Sequence, residues 1–443
     1  MRVPARIYAT SAMLDQIITD RSLEQLINVT TLPGIVKYAL AMPDVHEGYG
    51  FPVGGVAAFD YDTGIISPGG IGYDINCGVR LLRSTLLKTD VAKHLSRIGQ
   101  TIFAGVPSGV GKGGKLNLKG KHLDSVLLGG AKKMFELGYA FKEDLDRIES
   151  GGRLESADPA CVSLQAKSRG GDQLGTMGAG NHFIEVEYIS AIFDEAEASR
   201  MGLYKNQVCL MLHTGSRGLG HQVATDYIRE MNRVMAGFGI TLPDRELACA
   251  PFSSKEGQAY WKAMSAAANF AWANRQFMTW EVREAWKEVF GQSETLSLVY
   301  DVAHNIAKVE THVVDGEQRK VIVHRKGATR AFPGQPVLIP GSMGTGSCVL
   351  VGQEYAMAES FGSSCHGAGR LMSRTKARKQ TTAPELLKEL SLKGIVVNCG
   401  SKAGLCEEAP SAYKDIDEVV GVIDESGIAK KVARLKPLAV IKG

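Results

Sequence analysis

The sequence predicts an α+β fold, mixed sheets with helices packed among them, in one large domain spanning 1–443. Three observations carry that prediction. Short apolar runs such as 208–212 and 298–303 stop abruptly at a histidine close to a Gly or Asn, as buried strands bounded by turns do. Stretches with helical periodicity stand apart from them, at 123–137 and from 256 to about 290. Glycine supplies 51 of 443 residues, well above the usual share of roughly 7%, which predicts many tight turns with open backbone amides.

Composition narrows the class. A content of 44% hydrophobic and 22% charged residues is that of an ordinary soluble protein with a large core. No run reaches the roughly 18 apolar residues that a membrane span needs. The opening MRVPARIYATSAMLD lacks the apolar centre of a secretory signal. The eight cysteines (77, 161, 209, 249, 348, 365, 399 and 406) follow no disulfide-like spacing, so a reduced, cytoplasmic protein is expected. A net charge of +4 permits nucleic acid as a partner without arguing for it.

Taken in order, the chain begins with weak amphipathic pieces such as 23–29. Residues 42–60 open with Asp44, His46 and Glu47 in a glycine-rich turn and run into a strand at 53–59. His46 beside two carboxylates is a candidate metal ligand, although such turns more often support ligands from behind. The stretch 67–80, SPGGIGYDINCGVR, is the centre of the reading. Gly69, Gly70 and Gly72 let the backbone turn tightly and deliver Asp74 and Cys77 three residues apart. A carboxylate and a thiolate from one short turn make half a metal site. A strand at 79–82 follows. Residues 105–121 form the one local basic cluster, and 109–116 spell G-x-x-x-x-G-K-L. Leu116 stands where a P-loop needs Ser or Thr, and no buried strand precedes it, so a cationic loop at the rim of a cleft is the better reading. Helical patterns follow at 123–137 and 141–148.

Three histidines supply the other half of the site. His182 stands where a glycine-rich loop enters a strand at 183–188, between Asn181 and Glu185; His213 ends the strand 208–212; His304, followed by Asn305, ends 298–303. Together with Asp74 and Cys77 they make a metal centre, and ligand softness alone favours zinc. Between His213 and His304 the texture changes. A helix at 221–238 and a second run, capped by the Ser253-x-x-Glu256 box, hold all four tryptophans, Trp261, Trp272, Trp280 and Trp286. This region, 221–292, reads as an inserted helical hairpin, a lid or a partner surface. Strands are expected at 311–314 and 320–324. Pro340, Gly341, Ser342, Met343 and Ser347 then sit in a turn between strands, where amides and hydroxyls suit a phosphate or nucleotide, or form a plain hairpin. His366 precedes Gly-Ala-Gly and a basic helix, with no acid close in sequence to partner it; it is a candidate nucleophile or a plain loop residue. The remainder reads as a helix at 384–390, a strand at 394–398, a helix at 415–422 and a strand at 432–441.

These blocks resemble, in order, the RtcB family of GTP-dependent RNA ligases. They are PDVHEGYGFPVGG, GGIGYDINCGVR, GAGNHFIEV, HTGSRGLGH, VYDVAHN, PGSMGTGS, SSCHGAGR, SAYKDIDEVV and the lysine at 442. The resemblance implies two manganese ions, one held by Asp74, Cys77 and His182, the other by Cys77, His213 and His304, with the thiolate bridging. It implies that His366 attacks the α-phosphate of GTP and becomes a guanylated histidine. It implies a nucleotide cradle of Asn181, His182, Phe183, Ile184 and Glu185, of His304 and Asn305, of Pro340, Gly341, Ser342, Met343 and Ser347, of Gly367, Ala368 and Gly369, and of Tyr413 and Lys442. Lys442 would face guanine O6 and N7. The implied partner is RNA with a 3′-phosphate or 2′,3′-cyclic phosphate end and a 5′-hydroxyl end, in tRNA splicing or RNA repair, with a protein activator of the archease type as a further expectation. Two rival readings remain at this level. A dinuclear phosphoesterase needs the five ligands but neither His366 nor GTP. An RNA-binding protein with a structural metal is disfavoured, because five ligands shared by two ions leave open positions.

Overall fold

Antiparallel neighbours place the start of one strand beside the end of the next, and this rule assembles the site. The computed structural model describes residues 1–443. Its larger sheet has eight strands. Seven run in the order Pro336–Ile339, Ser347–Gly352, Ala429–Lys442, Phe183–Ile192, Gln207–Thr214, Gly78–Leu87 and Ser297–Ala303, while Val396–Cys399 pairs with Ala429–Lys442. Gln207–Thr214 is buried at every position, which explains its unbroken apolar run. Its His213 stands opposite both Phe183 and Val79, and Gly78 stands opposite Ala303. Cys77, His182, His213 and His304 therefore line one edge of the sheet.

A second, five-stranded sheet runs Ala5–Ile7, Ile35–His46, Val53–Asp60, Glu317–Lys326 and Asn305–Val314. The chain crosses from the first sheet to the second at His304, between Ser297–Ala303 and Asn305–Val314. Asp44 and His46, at the end of Ile35–His46, are thereby brought to the same edge.

The helices differ from expectation in three respects. Lys255–Phe290 is one helix of 36 residues, and every residue from 263 to 279 is buried. It is not a lid or a partner surface: its many alanines let it lie against Leu95–Gly105 and Lys121–Glu136 as the centre of the core. The helix begins at Ser254, whose hydroxyl accepts the Gly257 N–H (3.0 Å), so the cap is Ser254 rather than Ser253. The expected helix at 141–148 is a single turn, Lys142–Leu145, because Ile148 leaves to pair with Asp301 beside the sheet. No helix is long and apolar enough to cross a membrane.

Candidate active site

The turn 67–80 carries a left-handed residue, Asn76 (φ 53°), which reverses the chain so that Asp74 and Cys77 face the same space. Asp74 Oδ2 lies 2.9 Å from His182 Nε2. Cys77 Sγ lies 3.3 Å from His182 Nε2 and 3.2 Å from His213 Nε2, and His213 Nε2 lies 3.2 Å from His304 Nε2. His182 Nδ1 donates to the Met177 carbonyl (2.9 Å), which fixes the tautomer and leaves the Nε2 lone pair facing inward. Burial pushes His213 and His304 well below the ordinary histidine range, so both stay neutral with lone pairs free. Burial and the Asp74 carboxylate push the Cys77 thiol up. For Asp74 burial acts upward, but His182, Arg217 and Cys77 together outweigh it and hold the carboxyl below its usual range. Three imidazole nitrogens, a cysteine sulfur and a carboxylate oxygen converge on one small space, the ligand types that borderline metal ions take. The donor set thus fits one or more metal ions. His46 is not in this cluster; its Nδ1 donates to the Asp44 carbonyl (2.9 Å).

His366 has the acid partner that its sequence neighbourhood lacks. Asp44 Oδ2 accepts from its backbone N–H (3.0 Å) and from its Nδ1 (2.5 Å) across 322 positions. Asp44 is fully buried, and the buried Lys414 amine braces its strand by donating to the carbonyls of Pro43 (3.0 Å) and Val45 (2.6 Å). Gly369 (φ 75°) passes so close that a Cβ there would stand 2.2 Å from the Asp44 carbonyl oxygen, so only glycine lets this loop fold over the aspartate. With Nδ1 engaged, Nε2 is left for the cavity, and the His304 ring lies alongside with centroids 4.8 Å apart.

A cavity of about 280 Å³ joins these groups. Of the residues expected to hold metal or nucleotide, Asp74, Cys77, Asn181, Phe183, His213, His304, Asn305 and Pro340 line it, as do Gly341, Ser342, Met343, His366, Gly367, Ala368, Gly369, Tyr413 and Lys442. Lys442 Nζ donates to the Gly180 carbonyl (3.0 Å), and the Tyr413 hydroxyl donates to Glu408. Ile184, Glu185 and Ser347 do not line the cavity. Ile184 points into the core, and the Ser347 hydroxyl is buried without a partner. Burial pushes the Glu185 carboxyl up, against the pull of the Lys442 amine. His182 opens instead on a wider cleft of about 860 Å³, lined also by Asp74, Asn181, Arg169, Arg217 and Arg374. Val110 and Gly111 of the glycine-rich basic loop form part of its rim. Asp44 as a partner of His366, Lys326 at the cavity wall and the arginines of the cleft were not legible in the sequence. Only the neighbourhood of Asp44 to His46 hinted at any of them.

An enzyme with a candidate Cys/His metal site beside an aspartate-held histidine is the class that this fold and site define. A family model described as "tRNA-splicing ligase RtcB" matches residues 25–443, and the chain belongs to that family. Three relatives carrying that description are similar to it over 100% of this chain and 95% of their own length: 54% identical in Thermococcus kodakarensis, 51% in Archaeoglobus fulgidus and 51% in Methanococcus maripaludis.

Proposed function

We propose that the protein is a GTP-dependent RNA ligase that joins 3′-phosphate or 2′,3′-cyclic phosphate ends to 5′-hydroxyl ends, in tRNA splicing or RNA repair, by way of a guanylated His366. The observation that carries this reading is the Asp44–His366 pair at the metal edge. Asp44 holds the Nδ1 proton and stabilises the positive charge that grows on the ring as Nε2 attacks. The new bond joins Nε2 to the α-phosphorus of GTP, and the bond to the pyrophosphate oxygen breaks. GMP then passes from His366 to the RNA 3′-phosphate, which frees the histidine; a 2′,3′-cyclic end is first hydrolysed by water to a 3′-phosphate and a 2′-hydroxyl. Attack by the 5′-hydroxyl on the activated 3′-phosphorus forms the phosphodiester and releases GMP.

Asp74, Cys77 and His182 would hold one manganese ion and Cys77, His213 and His304 the other. When bound, such ions neutralise phosphate oxygens during attack. The cavity at Lys442, Tyr413 and Met343 would take the nucleoside, with the Lys442 ammonium donating to guanine O6 and N7, where adenine offers an amine in place of O6. The wider cleft reaches Asp74 and His182 from another side, and its arginines support placing an RNA strand there. A cytoplasmic setting and an archease-type activator belong to the same reading.

The test is intact mass after incubation with GTP and Mn2+. The protein should gain the mass of GMP, and His366→Ala should gain none while keeping its metal. GMP attachment to His366→Ala would remove the histidine from the mechanism.

A further inference from the structure

The buried helix Lys255–Phe290 brings two polar residues, Asn274 and Arg275, against the metal edge, both fully buried. Arg275 Nη1 donates to the carbonyl oxygens of Asn76 (2.7 Å) and Thr214 (3.0 Å), and Nη2 donates to Asn76 Oδ1 (3.1 Å). Its Nε and Nη2 also donate to the two oxygens of Asp301 (2.8 and 2.9 Å), three residues before His304. Asn274 Oδ1 accepts the N–H groups of Gly175 (2.7 Å) and Thr176 (3.1 Å), and its Nδ2 donates to the carbonyls of Thr176 and Gly215 (3.1 Å each). The next carbonyl along, Met177, accepts from both His182 Nδ1 (2.9 Å) and Thr214 Oγ1 (2.7 Å). Two adjacent side chains thus hold four chain segments: the 74–77 turn, the 175–182 loop, and the ends of Gln207–Thr214 and Ser297–Ala303. Those segments carry Asp74, Cys77, His182, His213 and His304.

The turn depends on this hold. Asn76 is a non-glycine residue in left-handed backbone (φ 53°), a conformation that persists only where its surroundings over-determine it. Besides the Arg275 contacts, its Nδ2 donates to the Ala268 carbonyl (2.6 Å), two turns earlier on the same helix. Burying a guanidinium costs desolvation that an apolar side chain of similar size would avoid. The same helix supplies a matched comparison. Arg283 pairs with Asp144 (2.7 Å to each oxygen) as deeply in the core, yet reaches none of the ligand-bearing ends.

We propose that Asn274 and Arg275 are positioning residues of the metal centre, setting the relative placement of the four segments that carry its ligands. The inference rests on the metal reading above, and the experiment separates the two. Mn2+ affinity is measured by calorimetry on the full chain, and the absorption spectrum with Co2+ in place of Mn2+ reports ligand geometry. Wild-type protein that binds neither ion overturns the metal reading, and this inference with it. Given binding, Arg275→Met and Asn274→Ala should lose about tenfold to hundredfold in Mn2+ affinity, as loss of groups that orient ligands does elsewhere, and should shift the Co2+ bands. Arg275→Lys should recover part of the loss. Arg283→Met should lower the melting temperature while leaving affinity and spectrum as in wild type. Wild-type affinity and spectrum in folded Arg275→Met and Asn274→Ala would overturn the proposal, as would equal losses in Arg283→Met. If Arg275→Met does not fold, Asn274→Ala, which removes no charge, decides alone.

Discussion

Acid should destabilise this protein through His324 before carboxylates in their ordinary range are protonated. The ring is fully buried, packed edge-on against Phe59 (centroids 5.0 Å) and stacked near Phe51 (6.2 Å). Its Nε2 accepts the Ser67 N–H (3.1 Å), at the head of the turn that leads to Asp74 and Cys77. A proton on Nε2 would have to displace that bond, and burial pushes the imidazole down to about 4 from its ordinary 6.5. The sign follows from linkage. Between those two values the unfolded chain binds a proton that the fold refuses, so stability rises with pH and is lost as pH falls from 6.5 toward 4. A shift from 6.5 to about 4 corresponds to about 3 kcal/mol in all, of which about 2 kcal/mol is lost by pH 5. His324→Gln keeps an acceptor for the Ser67 N–H but cannot titrate. Urea unfolding midpoints for both proteins at pH 7, 6 and 5 give the difference directly. Wild type should lose about 2 kcal/mol more than His324→Gln over that range. Parallel curves for the two proteins would refute the reasoning, since other titrating groups are common to both.

Three further outcomes are expected. Asp44→Asn keeps the shape but not the charge that holds His366 Nδ1, and should slow GMP attachment by about 10²–10⁴-fold at unchanged metal content; a wild-type labelling rate would show that the pair is idle. Cys77→Ser should weaken both Mn2+ ions together, because the thiolate would sit between them; one intact and one empty site by metal analysis would argue against a bridge. Lys442→Ala should cost about 1.5–3 kcal/mol in GTP binding, the range of a charge-assisted contact, with fold and metal content kept; undiminished GTP affinity would place the base elsewhere.

Much of the site was legible because its ligands end apolar runs. His213 closes a strand buried at every position and His304 one buried over most of its length, and a run of that kind announces its own end in the sequence. Asp44 was not readable as the partner of His366, since only the meeting of two sheets brings positions 322 residues apart together. The core helix misled for the opposite reason. Asn269, Asn274, Arg275, Gln276 and Arg283 interrupt its apolar pattern on several sides and favour the reading of a lid or partner surface, yet each is buried and hydrogen-bonded to backbone or to an acid. Polarity in sequence reports only that a partner is needed, and water is the default assumption until the fold supplies another.

Strand Ala429–Lys442 lies inside the eight-stranded sheet, between Ser347–Gly352 and Phe183–Ile192, yet it is the last of the strands along the chain. A ribosome therefore delivers it after all its neighbours. Until it arrives, both neighbours present open edges of unpaired N–H and C=O groups, which invite chaperones or wrong partners. The carbonyl of Gly180 meanwhile waits for the Lys442 ammonium, beside the loop that carries His182. A nascent chain, or one cut short before residue 429, exposes those sheet edges and also lacks the Lys442 side of the cavity that holds His366.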